Sequence, residues 1–143
     1  MTPSVTGGCL CGAIRYSISQ PVETISACHC THCQKASGTG ASYNAIVPTS
    51  AVTFTAGKTK VYKDTAESGN TLYRHFCGDC GSPMYSQREK MPEMMVLKVG
   101  TLDDSSGLKL TTNIWTRSAR PWMHIDPGAT NHPQNRPMPP PAT

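Results

Sequence analysis

Cys77-Gly78-Asp79-Cys80-Gly81 is a tight turn built around two sulfurs. In a metal knuckle the backbone folds so that amide N–H groups point at the first thiolate, and a glycine just after the second cysteine permits the positive φ this requires. Gly78 and Gly81 match that demand. The other five cysteines fall into two further clusters, Cys9-Leu10-Cys11 and Cys28-His29-Cys30-Thr31-His32-Cys33. Thiolate is the donor zinc takes at closed tetrahedral sites, usually from two short-spaced pairs that meet across a fold. Seven sulfurs therefore divide as four and three. Cys9, Cys11, Cys77 and Cys80 can close one site, tying the N-terminal strand to a hairpin about 65 residues downstream. Cys28, Cys30 and Cys33 can embrace a second ion from one side and leave a coordination position open, which is where zinc performs chemistry. His29 or His32 is the alternative fourth donor to that ion.

Competing uses of cysteine fit less well. A disulfide framework wants an even cysteine count and an oxidising compartment, whereas the chain opens MTPSVTGG with no apolar run behind it, which predicts no secretory leader. Cys30-Thr31-His32-Cys33 has the spacing of a redox motif, but such motifs open a helix after a strand in a βαβ alternation that this sequence lacks. Ordinary buried thiols rarely gather at these spacings. His75, in a strand-like run, and His124 read as packing or surface residues.

The 143 residues suit one domain, and a hydrophobic content of 37% with a mean hydropathy of -0.37 is lean for a core of that length. Two metal sites would supply the missing cross-links, because metal binding to a folded site adds to folding free energy. The formal charge of +4 treats every cysteine as neutral. Seven thiolates on two Zn²⁺ bring it to about +1, and the Lys and Arg residues form no run. With only 6% aromatic residues, that argues against a nucleic-acid surface. No stretch approaches the roughly 18 apolar residues of a membrane span, and a cytoplasmic location is expected.

Strand signals dominate. Ile14, Tyr16 and Ile18 alternate with Arg15, Ser17 and Ser19, and β-rich runs recur at residues 42–47, 51–55, 59–63, 71–76, 94–99 and 111–115 between Gly, Pro, Asn and Ser breaks. Helix is expected only over about one turn at 31–36, with another turn near 117–122. The fold class read from this rhythm is all-β, in small twisted antiparallel sheets. Residues 1–125 are expected to form the zinc-binding domain. Residues 126–143, with six of the twelve prolines, are expected to form a tail that wraps the surface or stays mobile and carries no chemistry.

GCLCGAIRYSI near the start, ACHCTHCQKASG, RHFCGDCGSPM, the later LKVGTLDD and IWTRSARPW occur in the order of the glutathione-dependent formaldehyde-activating enzyme family, which also contains centromere protein V-like proteins. The chain resembles that family from about Gly8 to Trp122. The resemblance implies a zinc-pinned β-tent. It implies a structural zinc on Cys9, Cys11, Cys77 and Cys80, and a functional zinc on Cys28, Cys30 and Cys33 as the catalytic centre. It also implies a carbon–sulfur lyase type of activity that makes or cleaves the adduct of glutathione, or a similar thiol, with a small aldehyde such as formaldehyde. Gln34-Lys35 follows the triplet where family members often carry an arginine. Lys35, Arg74, Arg117 and Arg120 are the candidate partners for the two glutathione carboxylates, by charge alone. The alternative is a non-catalytic zinc module that binds a protein or nucleic acid. An incompletely ligated metal disfavours it, since a pure scaffold gains nothing from an open position.

Overall fold

The computed structural model of the protein describes residues 5–136. Two sheets enclose the core. β1 (Val5–Gly8), β2 (Arg15–Ile18) and β5 (Val52–Ala56) form a three-stranded sheet in the order β1-β2-β5. The other eight strands are β3 (Thr24–Cys28), β4 (Ser42–Pro48), β6 (Lys60–Thr65), β7 (Thr71–Phe76), β8 (Pro83–Arg88), β9 (Met91–Lys98), β10 (Lys109–Ile114) and β11 (Thr130–Asn131). They form one sheet in the order β11-β10-β3-β4-β9-β8-β7-β6. The class is all-β, as expected, although one sheet is larger than anticipated. Its strands are not all antiparallel either: β10 runs parallel to both β3 and β11. A parallel neighbour requires a long connection, and here most of the chain intervenes between β3 and β10.

Pleating decides what each strand shows to each side. On β2 the alternating residues are buried almost completely, with Ile14 just ahead of the strand at 1%, Tyr16 at 1% and Ile18 at 0% exposure. They meet Ala45 and Val47 of β4, Met84 of β8, and Met95 and Leu97 of β9 in a single core between the sheets. The intervening residues of the large sheet, Asn44 and Ile46 on β4 and Met94 and Val96 on β9, face the other way and line a cavity. Strand register extends this second face sideways. Ile46 pairs with Val96, Val96 with Ser86, Ser86 with Arg74, and Arg74 with Tyr62. One face of the large sheet thus supplies the core and the other supplies the candidate site.

The single α-helix among the described residues, α1 (Thr31–Ser37), begins where its sequence allows: Cys30 caps it by accepting the Cys33 N–H on its sulfur at 3.2 Å, and Gly38 ends it with φ 72°. A single 3₁₀ turn, Thr116–Ser118, takes the place of the second expected helix turn. Over its described part the expected tail is tied to the large sheet. Thr130 and Asn131 pair with Thr112 and Asn113, and the backbone N–H groups of Trp115 and Thr116 donate to Gln134 and His132. Polar residues without periodicity give no strand signal, so these backbone bonds were not legible. The remainder of that tail, residues 137–143, lies outside the described residues.

Asp103 locks β1 and β2 from the surface. It accepts from Thr6 Oγ1 at 2.7 Å and from both terminal nitrogens of Arg15, one at 2.9 Å. Arg15 holds the Asp103 carboxyl down to about 2, with Thr6 adding to the effect. A carboxylate held below its unfolded value contributes stability that is present above the unfolded pKa and is lost as pH falls through the folded one. The melting temperature of Asp103→Asn is therefore expected to lie below that of the unaltered protein at neutral pH. That gap should close as pH falls from about 4 to about 2. A gap that stays constant across this range would refute the assignment.

Candidate functional site

The chain brings its seven sulfurs together at two places. Cys9, Cys11, Cys77 and Cys80 form one group and Cys28, Cys30 and Cys33 another, with the donor atoms in each group within 4.8 Å of one another. In the first group Cys9 and Cys11 sulfurs are 3.6 Å apart and Cys11 and Cys77 sulfurs 3.8 Å apart. A tetrahedral zinc with bonds of about 2.3 Å sets its sulfurs about 3.8 Å apart, so both groups have donors suited to such an ion. The turns behave as metal knuckles do: the Ile14 N–H donates to the Cys9 sulfur at 3.2 Å, and Gly81 has φ 80°. Gly78 does not adopt a positive φ. Its counterpart is Gly12, which follows Cys11 with φ 81°.

Charge suits each group to a cation. In the triplet, the thiols of Cys28 and Cys30 hydrogen-bond to the Cys33 sulfur and hold it far below the ordinary thiol range, with the positive charges of Lys98 and Arg74 assisting. Cys28 is driven strongly in the opposite direction by its bonds to Cys30 and Cys33 and by burial. The three sulfurs thus favour unequal protonation, and a divalent ion would release the protons that remain on them. In the other group the Ser82 hydroxyl and backbone lower Cys80 to about 5, while the neighbouring sulfurs push Cys11 up to about 12 despite its bond to the Ala13 backbone.

The triplet sits where β3 ends and α1 begins, so Cys28 is fixed by sheet pairing and Cys33 by the first helical turn. All three sulfur residues are buried and pack against Trp115. Trp115 itself adopts φ 58° and ψ 37°, a left-handed conformation costly for a bulky side chain. Its surroundings hold it there. The indole Nε1 donates to Asn135 at 2.8 Å, Arg117 lies 4.9 Å over the ring, and the backbone is tied to Gln134.

Neither neighbouring histidine joins the sulfur group. His29 is buried, and its Nε2 faces Asn113 Oδ1 at 2.9 Å. Asn113 donates through its amide to Asn131, so the His29 Nε2 is the protonated nitrogen and donates. His32 Nδ1 faces Asp64 at 3.0 Å. Gln34, buried behind the helix, donates to the backbone oxygens of His29 and Ser118 and accepts from Arg120.

A cavity of about 470 Å³ opens on the triplet, on the sheet face opposite the core. Its lining contains Cys28, Cys30 and Cys33, the apolar side chains of Ile46, Met94 and Val96, and the cations Arg74, Arg88 and Arg136. The β6–β7 turn contributes Glu67, which also accepts from the Thr31 N–H and hydroxyl at the start of α1. Of the four cations chosen by charge, Arg74 alone lines this cavity. Lys35 is exposed, Arg117 covers Trp115, and Arg120 is engaged by Gln34. Arg88 and Arg136 were missed, as was Lys98. A strand register would have found Arg88, because it lies two residues beyond Ser86 on the cavity face.

Arg74 is itself positioned. Its Nε donates to Asp64 at 2.9 Å, and the two side chains are only 12% and 11% exposed. Burial works against the charge of Arg74, but Asp64 and Cys33 outweigh it and raise its pKa. Asp64→Asn would take the carboxylate counter-charge from a nearly buried guanidinium, and is expected to cost roughly 3 kcal/mol of folding stability in denaturant titration. A loss within about 0.5 kcal/mol, the level of an ordinary surface substitution, would mean that the pair does not position Arg74.

Comparison with known proteins accords with the sulfur geometry. The family model described as glutathione-dependent formaldehyde-activating enzyme matches residues 4–118. A protein of Penicillium rubens, whose name assigns it provisionally to the glutathione-dependent formaldehyde-activating enzymes, is 30% identical over 82 residues. That alignment covers 57% of this chain and 42% of the relative, so the chain spans less than half of the relative's length. A crystal structure of a Rhodobacter sphaeroides protein superimposes with a TM-score of 0.56 at 18% identity, covering 89% of this chain and 98% of the other, which is a likeness of fold. No helix among the described residues is long and apolar enough to cross a membrane. With its cysteine motifs in family order, its sulfurs gathered in two groups and the family model matched over most of its length, the chain belongs to the glutathione-dependent formaldehyde-activating enzyme family.

Proposed function

We propose that this protein is a zinc-dependent enzyme of the carbon–sulfur lyase type, forming or cleaving the adduct between a low-molecular-weight thiol, glutathione or a close analogue, and a small aldehyde such as formaldehyde. The observation that carries this reading is the buried sulfur triplet at the wall of a roughly 470 Å³ cavity that also contains three arginines. Cys28, Cys30 and Cys33 would hold the functional zinc. Cys9, Cys11, Cys77 and Cys80 would hold a structural one. The free sulfurs and the absence of paired disulfides among the described cysteines fit a reducing, cytoplasmic setting.

Zinc on three thiolates would supply a position at which an incoming thiol loses its proton near neutral pH. The chain's own residues do the rest. Arg88 and Arg136 are suited to the carboxylates of glutathione, since guanidinium groups bind carboxylates in a fixed planar geometry. Arg74, held by Asp64, keeps positive charge beside Cys33. Trp115 and Ile114 shield the sulfurs from bulk water on one side. Ile46, Met94 and Val96 give the thiol substrate an apolar floor.

Elemental analysis of protein purified without chelator is expected to return two zincs per chain. Cys30→Ser should fold and keep one of them, whereas Cys77→Ser should be poorly folded or aggregate. Equal unfolding of both variants would contradict this division between the sites. For activity, exchange spectroscopy by NMR on glutathione and formaldehyde at equilibrium reads adduct formation and cleavage directly. The protein should accelerate exchange, Cys30→Ser should abolish the acceleration, and Arg88→Ala should raise KM for glutathione by about tenfold or more with a smaller change in kcat. Full zinc content without acceleration for glutathione or any other small thiol would overturn the enzyme reading.

A further inference from the structure

Cys33 and Arg74 line a second cavity as well, smaller than the first at about 230 Å³. Its walls are mostly apolar and include Tyr62, Phe76, Pro83 and Tyr85. Tyr85 is stacked on His75, which lines the cavity with it, with ring centroids 4.1 Å apart, and is backed by Phe54 at 5.7 Å. Lys98 lines this cavity and not the larger one. Its Nζ donates to Asn44 Oδ1 at 2.8 Å and to Ser42 Oγ at 3.3 Å. An ammonium has three N–H bonds, so one is left for a further acceptor.

Two cavities that meet at one cysteine suit a reaction between two partners. The larger one carries the arginines that a thiol with carboxylates needs. The smaller one is shaped for something else. Formaldehyde has two heavy atoms and is close in size to water, whose share of liquid volume is about 30 Å³. A cavity of about 230 Å³ walled by aromatic rings holds so small and polar a molecule poorly.

We propose that the smaller cavity binds an aldehyde with an apolar body, of aryl or branched-alkyl size, its carbonyl carbon toward Cys33 and its oxygen toward Lys98. This rests on the thiol-adduct reading above and narrows its electrophile. In the step, the sulfur lone pair of the thiol substrate forms a C–S bond to the carbonyl carbon, and the C=O π pair moves onto oxygen. Lys98 donates a hydrogen bond to that oxygen. The proton released by the thiol ends on the oxygen through solvent, giving a hemithioacetal with no change of oxidation state. The reverse step returns thiol and aldehyde.

Two measurements on the full chain, purified with its metal, test the assignment. Saturation-transfer NMR with phenylacetamide, which has an aryl body and forms no thiol adduct, should detect binding. Ala36→Phe, placed at an exposed position that lines the cavity, should weaken that binding about tenfold. Tyr62→Ala, on an exposed strand, should weaken it several-fold by removing a wall and serves if the first variant does not fold. Exchange spectroscopy should then show glutathione and phenylacetaldehyde accelerated at least as strongly as glutathione and formaldehyde, with the preference for phenylacetaldehyde reduced in either variant. Absence of phenylacetamide binding, or acceleration with formaldehyde and none with phenylacetaldehyde, overturns the proposal and leaves the thiol-adduct reading standing. Phenylacetamide binding without acceleration of any aldehyde adduct overturns both.

Discussion

Four sulfurs, two from the start of the chain and two from its middle, converge until neighbouring atoms lie 3.6 and 3.8 Å apart. Thiols and thiolates do not crowd in this way for their own benefit, because each added negative charge raises the cost of the next. The contact joins the three-stranded sheet to the β7–β8 hairpin of the larger sheet, with Cys9 and Cys77 built into the core itself. Much of what lines the two cavities is carried by strands of the larger sheet, whose placement against the smaller sheet this junction helps to fix. A core this lean, with short strands and long loops, needs such a junction.

The large sheet divides its labour by parity. Ala45, Val47, Met95 and Leu97 fill the core, while Asn44, Ile46, Val96 and Lys98, one residue out of phase, form the walls of the cavities. A single-residue register slip would exchange these two sets, burying Lys98 in the core and exposing Leu97 to the cavity. The core face therefore specifies the geometry of the site. The backbone around Trp115 marks the other constraint, since a tryptophan in the left-handed region persists only because Asn135, Gln134 and the packing of the sulfur triplet hold it there.

Much of this was legible in the sequence, and the division is physical. Ile14, Tyr16 and Ile18 announced their strand by period, and the cysteine clusters announced themselves by spacing, because both are local patterns with one dominant cause. β3 and β8 were overlooked: Thr24–Cys28 and Pro83–Arg88 mix small and polar residues whose partners lie elsewhere in the chain. β11 consists of two polar residues held by backbone bonds, which no side-chain pattern reveals. The site cations show the same limit. Arg88, Lys98 and Arg136 look like solvated charges in one dimension, and only strand register and the return of the C-terminal segment put them on the cavities that the sulfurs line. Arg74 was legible as a charge. That it is held by Asp64, ten residues earlier, required the β6–β7 pairing.

The parallel pairing of β10 with β3 also has a bearing on how the molecule is made. His29 and its partner Asn113 are separated by 84 residues. At ribosomal rates of about 5–20 residues per second, β3 waits roughly 4 to 17 s for the strand that completes it. Through that interval Cys28, Cys30 and Cys33 already occupy one short segment, next to the β4 edge that is translated soon after. The wall formed by Ile114 and Trp115 does not yet exist. The triplet is therefore most open to its surroundings during synthesis, and the last part of the described chain to emerge is the part that closes it.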